Sequence, residues 1–265
     1  MGNTSGGSYL FDQFVNREEE SLRLKKRAAM RIEGLIPLLK RHGMTDNMKV
    51  LEVGCGHGIR TNEMARHFTQ SEIHGIDLSI SLLEEARKSS LANVKYTEGN
   101  AEALPLPSAS MDFVYSRLVF MHLKNPLAVI KEVKRVLRPG GTFMIEDADR
   151  DFMNFHPAPS TWNRFWKNIQ AGQRLLGGDP NVGRKLESYL KLSSFNHIQL
   201  ELQPIHGKTE EVLELCQTLM PALNEYLPLE ERSLGYEAIK DLEDLCHSTG
   251  VSLYHLWFVI SGRVL

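Results

Sequence analysis

The sequence has few cysteines, no surplus of positive charge and no long apolar run. Its 265 residues include only three cysteines, an odd number that favours reduced thiols over a disulfide framework. The net charge is −2, which argues against nucleic acid or an anionic membrane as a partner. Neither a secretory signal nor a membrane-spanning stretch is recognisable, so we expect a soluble, cytoplasmic protein.

The hydrophobic pattern predicts an α/β fold. Residues 9–42 carry apolar residues at helix spacing, and the charged run "EEESLRLKKR" within them is interpreted as a solvated helix face. From residue 48 onward, short runs typical of strands alternate with stretches typical of helices, beginning with "MKVLEV". This alternation indicates parallel βαβ units in a doubly wound sheet.

Changes in the pattern divide the chain into four parts. Residues 1–47 are predicted to form a helical arm, and residues 48–150 a core with five strands. Residues 151–195 are too long for a tight crossover and are predicted to form a helical lid over the site. Residues 196–265 are predicted to add two strands, which gives a mostly parallel, seven-stranded sheet.

A glycine-rich loop follows the first predicted strand in "VLEVGCGHG". Gly54, Gly56 and Gly58 would let the backbone turn tightly and approach a ligand without a Cβ in the way. The dinucleotide fingerprint G-x-G-x-x-G needs a third glycine where Ile59 stands, and no Gly-Lys-Ser/Thr of a phosphate loop follows. The loop therefore predicts a cofactor site of another kind.

Two acids accompany this loop. Glu52 lies near the end of the strand, where a carboxylate would repel a pyrophosphate but suits a ligand with an ammonium group. Asp77 ends the second predicted strand, 21 residues after Gly56, where an acid accepts hydrogen bonds from ribose hydroxyls. A ribose, an ammonium group and no phosphate together point to a ligand like S-adenosylmethionine.

The chain resembles the class I S-adenosylmethionine-dependent methyltransferases, most nearly the small-molecule group that includes ubiquinone-biosynthesis enzymes. The resemblance spans about residues 48–192 and is carried by "VLEVGCGHG", "GIDLS", "EGNAEALPLPSASMDFVYS", "MHLKNPLAVIKEVKRVLRPGG" and "GGDPNVGRKLESYL". It implies a Rossmann-like methyltransferase fold. It also implies methyl transfer from S-adenosylmethionine to an oxygen, nitrogen or carbon atom of a small, partly apolar metabolite, with S-adenosylhomocysteine as the second product.

The resemblance also assigns cofactor-binding residues. Asp77 would take the ribose hydroxyls, and Arg117 would lie near the sulfonium. Leu78, Asn100 and Ala101 would line the adenine, although many family members carry Asp in place of Asn100; an amide oxygen still accepts a hydrogen bond from the adenine amino group. The full predicted cofactor set is Tyr9, Glu52, Gly54, Gly56, Gly58, Asp77, Leu78, Asn100, Ala101 and Arg117.

The sequence leaves the catalytic residue open among four candidates. Methyl transfer from a sulfonium needs mainly alignment and desolvation, and a general base helps only when the acceptor must lose a proton. His122 follows the fourth predicted strand, Asp147 and Asp149 follow the fifth, and His156 begins the predicted lid. No group of residues has a convincing metal-ligand spacing, so no metal is predicted.

Three alternatives stand beside a small-molecule methyltransferase. A nucleic-acid methyltransferase would need a basic surface and a polar-Pro-Pro-aromatic tetrad, where this chain has "YSRLVF". A protein methyltransferase and a non-catalytic S-adenosylmethionine-binding protein are the others. We expect a small-molecule acceptor, no nucleic-acid or membrane partner, and a monomer or homodimer.

Overall fold

The structure is a computed structural model that describes residues 7–13 and 16–265; residues 1–6 and 14–15 of the predicted arm lie outside it. Within the described ranges the chain forms eight strands. They are Lys49–Val53 (β1), Glu72–Asp77 (β2), Val94–Glu98 (β3), Met111–Arg117 (β4), Leu137–Ala148 (β5), Asn154–His156 (β6), Asn196–Gly207 (β7) and Ser252–Arg263 (β8).

Nine α-helices connect or cover these strands in the part of the chain that the structure describes. They are Arg17–Ala29 (α1), Leu35–Arg41 (α2), Ile59–His67 (α3), Ile80–Lys88 (α4), Pro126–Val136 (α5), Trp162–Leu175 (α6), Leu186–Leu192 (α7), Thr209–Asn224 (α8) and Arg232–Ser248 (α9). α1 begins at Asn16, whose side-chain oxygen accepts the Glu19 N–H and so caps the helix. None of the described helices has both the length and the apolar character needed to cross a membrane.

The strands form one sheet in the order β3-β2-β1-β4-β5-β8, with β7 on the other side of β8. β1 to β5 run parallel, and β8 is antiparallel to both β5 and β7. The short β6 pairs with Ser252–Tyr254, whereas β5 pairs with Trp257–Arg263, so β6 continues the line of β5 along β8. The predicted doubly wound, mostly parallel sheet with seven strands is confirmed, with β6 as an addition.

Helices cover both faces of the sheet, as the apolar strands require. Leu51 of β1 and Val114 of β4 belong to a buried cluster with α5 and α7. Val50 and Phe113 face the other way and belong to a cluster with α2 and α3. The alternation of neighbouring residues between the two clusters explains why consecutive residues at the centres of β1 and β4, such as Val50 with Leu51 and Phe113 with Val114, are apolar.

A second helical layer lies beyond the sheet. α6, α8 and α9 pack with β6 and the start of β8 in a separate apolar cluster. The helices of residues 151–195, which were predicted to form a single lid, therefore pack in two different places. α6 joins this helical layer, whereas α7 packs on the sheet through Leu186 and Leu190.

Candidate functional site

A cavity of about 380 Å³ lies beyond the carboxyl ends of β1, β2 and β4, where the strand order reverses. Open α/β sheets bind their ligands at this position. The cavity brings together nine of the ten predicted cofactor-binding residues. They are Tyr9, Glu52, Gly54, Gly56, Asp77, Leu78, Asn100, Ala101 and Arg117.

The glycine loop has the left-handed backbone that its sequence predicts, since Gly54, Gly56 and Gly58 have φ values of 74°, 52° and 70°. A Cβ on Gly54 would lie 2.3 Å from Cγ2 of Val119, and a Cβ on Gly58 would lie 2.1 Å from the Tyr96 hydroxyl. Gly58 packs against Tyr96 at the start of α3 and is not among the residues that line the cavity, so its contact with the cofactor stays a prediction. A Cβ on Gly56 would meet no atom of the described residues within 4 Å.

The carboxylate of Asp77 holds the loop in place. Its Oδ2 accepts the N–H of Gly56 at 2.8 Å, and its Oδ1 accepts the N–H of Ser79 at 3.0 Å. Burial raises the pKa of Asp77, although both N–H groups act in the opposite direction. Each oxygen keeps a second lone pair, so Asp77 remains able to accept hydrogen bonds from hydroxyls of a ligand in the cavity.

Glu52 is an acid buried at the wall of the same cavity, with 3% of its surface exposed. Its Oε2 accepts a hydrogen bond from the Thr61 hydroxyl at 2.5 Å. Burial raises the pKa of Glu52 to about 7, so the folded protein holds it partly protonated near neutral pH. A cationic group placed beside it would favour the ionised form.

Leu78 and Asn100 provide a less polar side of the cavity. Leu78 is 46% exposed, which is unusual for a large apolar side chain at a cavity and leaves its surface available to a flat ligand group. The Asn100 side-chain oxygen accepts the Glu102 N–H at 2.9 Å, which holds the amide in place.

The arm and α1 close the cavity through a buried polar group. The Tyr9 hydroxyl donates to Glu20, and Nε of Arg23 donates to Glu20 at 2.6 Å. Glu20 and Arg23 are 3% and 8% exposed, so the solvated face predicted for "EEESLRLKKR" is wrong at these positions. The spacing of Glu20, Arg23 and Arg27 places them on one helix face, and this spacing is the feature of the sequence that could have indicated a shared polar group.

A second cavity of about 400 Å³ adjoins the first. It lies between α1, α6, α8 and the strands β7 and β8, and Arg23, Arg27 and Arg117 line both spaces. Arg117 is held at the boundary by Glu146, whose Oε1 accepts its Nε–H at 3.2 Å. The sequence did not predict this second cavity, because its wall combines the arm with elements near the carboxyl terminus.

His122 is the one catalytic candidate that lines the first cavity. Its Nδ1 lies 3.2 Å from the Ser8 hydroxyl, and its ring lies 5.3 Å from that of Tyr9. Burial, followed by the charges of Arg150 and Arg27, lowers the pKa of His122 well below 6.5. The imidazole is therefore neutral at physiological pH and a weak base.

Asp147, Asp149 and His156, the other three predicted catalytic candidates, are not among the residues that line either cavity. Asp147 accepts the backbone N–H groups of Met121 and Ala148, and Asp149 forms an ion pair with Arg184. His156 is exposed on β6. The first two carboxylates thus stabilise the turn after β5 instead of facing a ligand.

The combined geometry suits a ligand with a cationic end, hydroxyl groups and a flat apolar part. Glu52 provides negative charge at one place, Asp77 provides acceptors at another, and Leu78 provides apolar surface. In residues 7–13 and 16–265, no three His, Cys, Asp or Glu side chains come together as a metal site.

Comparison with known proteins gives matches to methyltransferases. Residues 51–145 match a family model described as a methyltransferase domain. An uncharacterized methyltransferase of Schizosaccharomyces pombe is 30% identical over 162 residues, which cover 57% of this chain and 57% of that protein. A fatty-acid O-methyltransferase of Mycolicibacterium smegmatis is 37% identical over 105 residues, which cover 39% of this chain and 38% of that protein. The chain thus spans less than two thirds of the length of these curated relatives.

A solved structure agrees with the fold. Phosphoethanolamine N-methyltransferase 2 of Haemonchus contortus, in complex with phosphomonomethylethanolamine and S-adenosylhomocysteine, superimposes with a TM-score of 0.57 at 20% identity. The match covers 88% of this chain and 53% of that one. At this identity the likeness concerns the fold alone.

Proposed function

From the match of residues 51–145 to a methyltransferase domain, we propose that the chain transfers a methyl group from S-adenosylmethionine to a small, partly apolar acceptor. One observation carries the proposal: Gly54, Gly56, Glu52 and Asp77 line one cavity, and Arg117 lines both that cavity and a second one. The first space would hold the methyl donor, and the second would hold the acceptor.

The residues of the first cavity fit S-adenosylmethionine. Glu52 would face the ammonium group of the methionine part, and Asp77 would accept hydrogen bonds from the ribose hydroxyls. Gly56 would let the methionine part approach the backbone, since the space beside it is open. When bound, the donor supplies an electrophilic methyl group on a sulfonium. The residues of the chain would align the acceptor and exclude water.

The second cavity favours a small molecule over a nucleic acid or a protein as the acceptor. Its volume of about 400 Å³ lies in the range of cavities that bind small ligands. Its walls include Trp166 of α6 and Leu215 of α8, so the helical layer forms one side of it. A non-catalytic binding protein would have no need of this second space.

Titration calorimetry with S-adenosylmethionine and with NAD tests the donor site. We expect S-adenosylmethionine to bind and Asp77→Ala to weaken that binding at least tenfold, because a hydrogen bond to a charged group contributes about 1.5–3 kcal/mol. Glu72→Ala removes an exposed acid from the same strand and should leave the affinity unchanged. Tighter binding of NAD, or equal affinities of the Asp77→Ala and Glu72→Ala variants, would contradict the proposal.

The protonation state of Glu52 leads to a second prediction, which concerns how the affinity for S-adenosylmethionine depends on pH. Because the pKa of Glu52 in the folded protein is about 7, a cationic ligand must displace a proton from it at lower pH. We expect affinity for S-adenosylmethionine to fall as the pH drops from 7 to 5.5, by at most about tenfold per pH unit. Calorimetry in buffers of different ionisation enthalpy measures the released proton. The Glu52→Gln variant should release none, and an unchanged release in that variant would exclude Glu52 as its source.

A further inference from the structure

Arg150 is a buried arginine without an acidic partner. It lies in the break between β5 and β6 and is 5% exposed. Its guanidinium lies over the rings of Trp166 and Tyr226, at 5.9 and 5.6 Å from their centroids. Within the described part of the chain no carboxylate oxygen lies within 4.0 Å of it, and its Nη1 is buried without a hydrogen-bond partner. The side chain lines the second cavity.

Arg27 adds a second cation to the same place. It lines both cavities, and none of the ion pairs or side-chain hydrogen bonds formed among the described residues involves its guanidinium. Burial, with contributions from neighbouring arginines, lowers the pKa of Arg27 to about 9 and that of Arg150 to about 10. Both lowered pKa values result mainly from burial of the charged guanidinium groups, and a bound anion would favour their charged form.

The nearby acids do not neutralise these two arginines, because they have other partners or are exposed. Glu211 and Glu214 line the second cavity but are exposed, and Glu211 accepts the Lys208 N–H at 2.8 Å. The buried acids are already engaged. They are Glu20 with Arg23, Glu146 with Arg117, Asp149 with Arg184, Glu52 with the Thr61 hydroxyl, and Asp147 with backbone N–H groups.

The remaining wall of the second cavity is largely apolar. It includes side chains from the turn after β4, the break after β5, α8 and β8. They are Met121, Met153, Leu215, Leu219, Leu223 and Trp257. The cavity of about 400 Å³ combines the guanidinium groups of Arg150 and Arg27, which lack an acidic partner, with a largely apolar wall, and the exposed Lys26 and Arg31 add further positive charge. This combination matches a ligand with an anionic head and an apolar body.

We propose that the acceptor is an amphipathic carboxylic acid, whose carboxylate binds Arg150 and Arg27 and whose apolar chain occupies the second cavity. Because Arg27 lines both cavities, the carboxylate lies at their junction and is itself the methyl acceptor. A carboxylate oxygen forms the new bond to the methyl carbon, the bond from that carbon to sulfur breaks, and its electron pair stays on sulfur. The products are a methyl ester and S-adenosylhomocysteine. No proton is released, so the reaction needs no base, in keeping with the weak basicity of His122.

The inference rests on the proposed function, and one set of measurements separates the two. Calorimetry first establishes binding of S-adenosylmethionine; its failure would overturn the proposed function. Protein saturated with S-adenosylhomocysteine is then titrated with decanoate, decan-1-ol, decylamine and decyl phosphate. We expect decanoate to bind at least tenfold more tightly than the other three, since it alone offers a planar carboxylate to the guanidinium groups. Mass spectrometry should detect methyl decanoate when S-adenosylmethionine and decanoate are mixed with the protein.

Variants of Arg150 make the test specific to this site. Arg150→Met should weaken decanoate binding at least tenfold and leave decan-1-ol binding unchanged, while its melting temperature is maintained or raised because an unpaired buried charge is removed. Arg164→Met, at an exposed position of α6, is the matched control and should bind decanoate normally. Arg150→Gln provides a second neutral variant if Arg150→Met does not fold. Equal binding of decanoate and decan-1-ol, a preference for decyl phosphate, unchanged decanoate binding in the Arg150 variants, or decanoate binding without ester formation would each overturn the inference.

Discussion

The Gly56→Ala variant is expected to fold and yet to lose at least a hundredfold in affinity for S-adenosylmethionine. Its new Cβ would meet no atom of the described residues within 4 Å, so the fold bears only the strain of a left-handed alanine, about 1–2 kcal/mol. Gly56 lines the cavity, however, and its N–H is held by Asp77. The methyl group would therefore occupy space that the ligand needs for its approach to the backbone. Calorimetry gives the affinity, and denaturant unfolding gives the stability.

Gly54→Ala is the matched comparison, in which we expect the loss of stability to be larger than in Gly56→Ala. Its Cβ would lie 2.3 Å from Cγ2 of Val119, at a φ of 74°, so the loop or the Val119 segment must move. Overpacking of about 1–3 kcal/mol adds to the strain of the left-handed backbone, and stability falls further than in Gly56→Ala. If Gly56→Ala lost as much stability as Gly54→Ala, or bound the ligand normally, the role assigned to the open space beside Gly56 would be wrong.

The grouping of Glu52, Asp77 and the glycine loop at one edge of the sheet could be predicted from the sequence, because local features determine it. β1 and β2 are parallel neighbours, so the carboxyl ends that carry Glu52 and Asp77 meet at one edge of the sheet. The glycine spacing then requires the left-handed turns that the structure contains at Gly54 and Gly56. Gly58 has the same backbone, but its contact with Tyr96 depends on β3, and the sequence pattern does not encode that contact.

The second cavity could not be predicted, because its residues come from distant parts of the chain. On α1, the charged residues at positions 20, 23 and 27 share one helix face, and their spacing is the same whether that face is exposed to water or lines a cavity. Only the packing of the arm against the rest of the chain determines which of the two environments the face has. Asp149 lies near the carboxyl edge of the sheet, as predicted, but its carboxylate forms an ion pair with Arg184 and does not line either cavity. The pairing depends on the turn that leads into α7, which no local spacing reveals.

Glu146→Gln should destabilise the protein by about 3–5 kcal/mol at pH 7, because it leaves a buried guanidinium without its counter-charge. Glu146 is 4% exposed and accepts hydrogen bonds from Arg117 and from the Tyr115 hydroxyl, the latter at 2.6 Å. Burial alone would raise the pKa of Glu146, but the charges of Arg117 and Arg60 hold it below its ordinary value. The stabilisation is therefore present above the pKa of the unfolded chain and is lost as the pH falls through the lower folded pKa.

The free energy of unfolding in denaturant, measured between pH 3 and pH 8, tests this prediction. The difference between the natural protein and Glu146→Gln should be largest near pH 7 and should close at the acidic end, where Glu146 is protonated in both folded and unfolded chains. The double variant Arg117→Met with Glu146→Gln removes both members of the ion pair and should recover part of the lost stability, whereas the buried Arg60 still lacks the charge of Glu146. Methyl transfer should nevertheless stay impaired in the double variant, since Arg117 lines both cavities.

A loss below about 1 kcal/mol in Glu146→Gln would mean that solvent reaches Arg117, since exposed ion pairs contribute no more than that. Recovery of stability without recovery of activity would instead separate the structural role of the ion pair from the position of Arg117 between donor and acceptor.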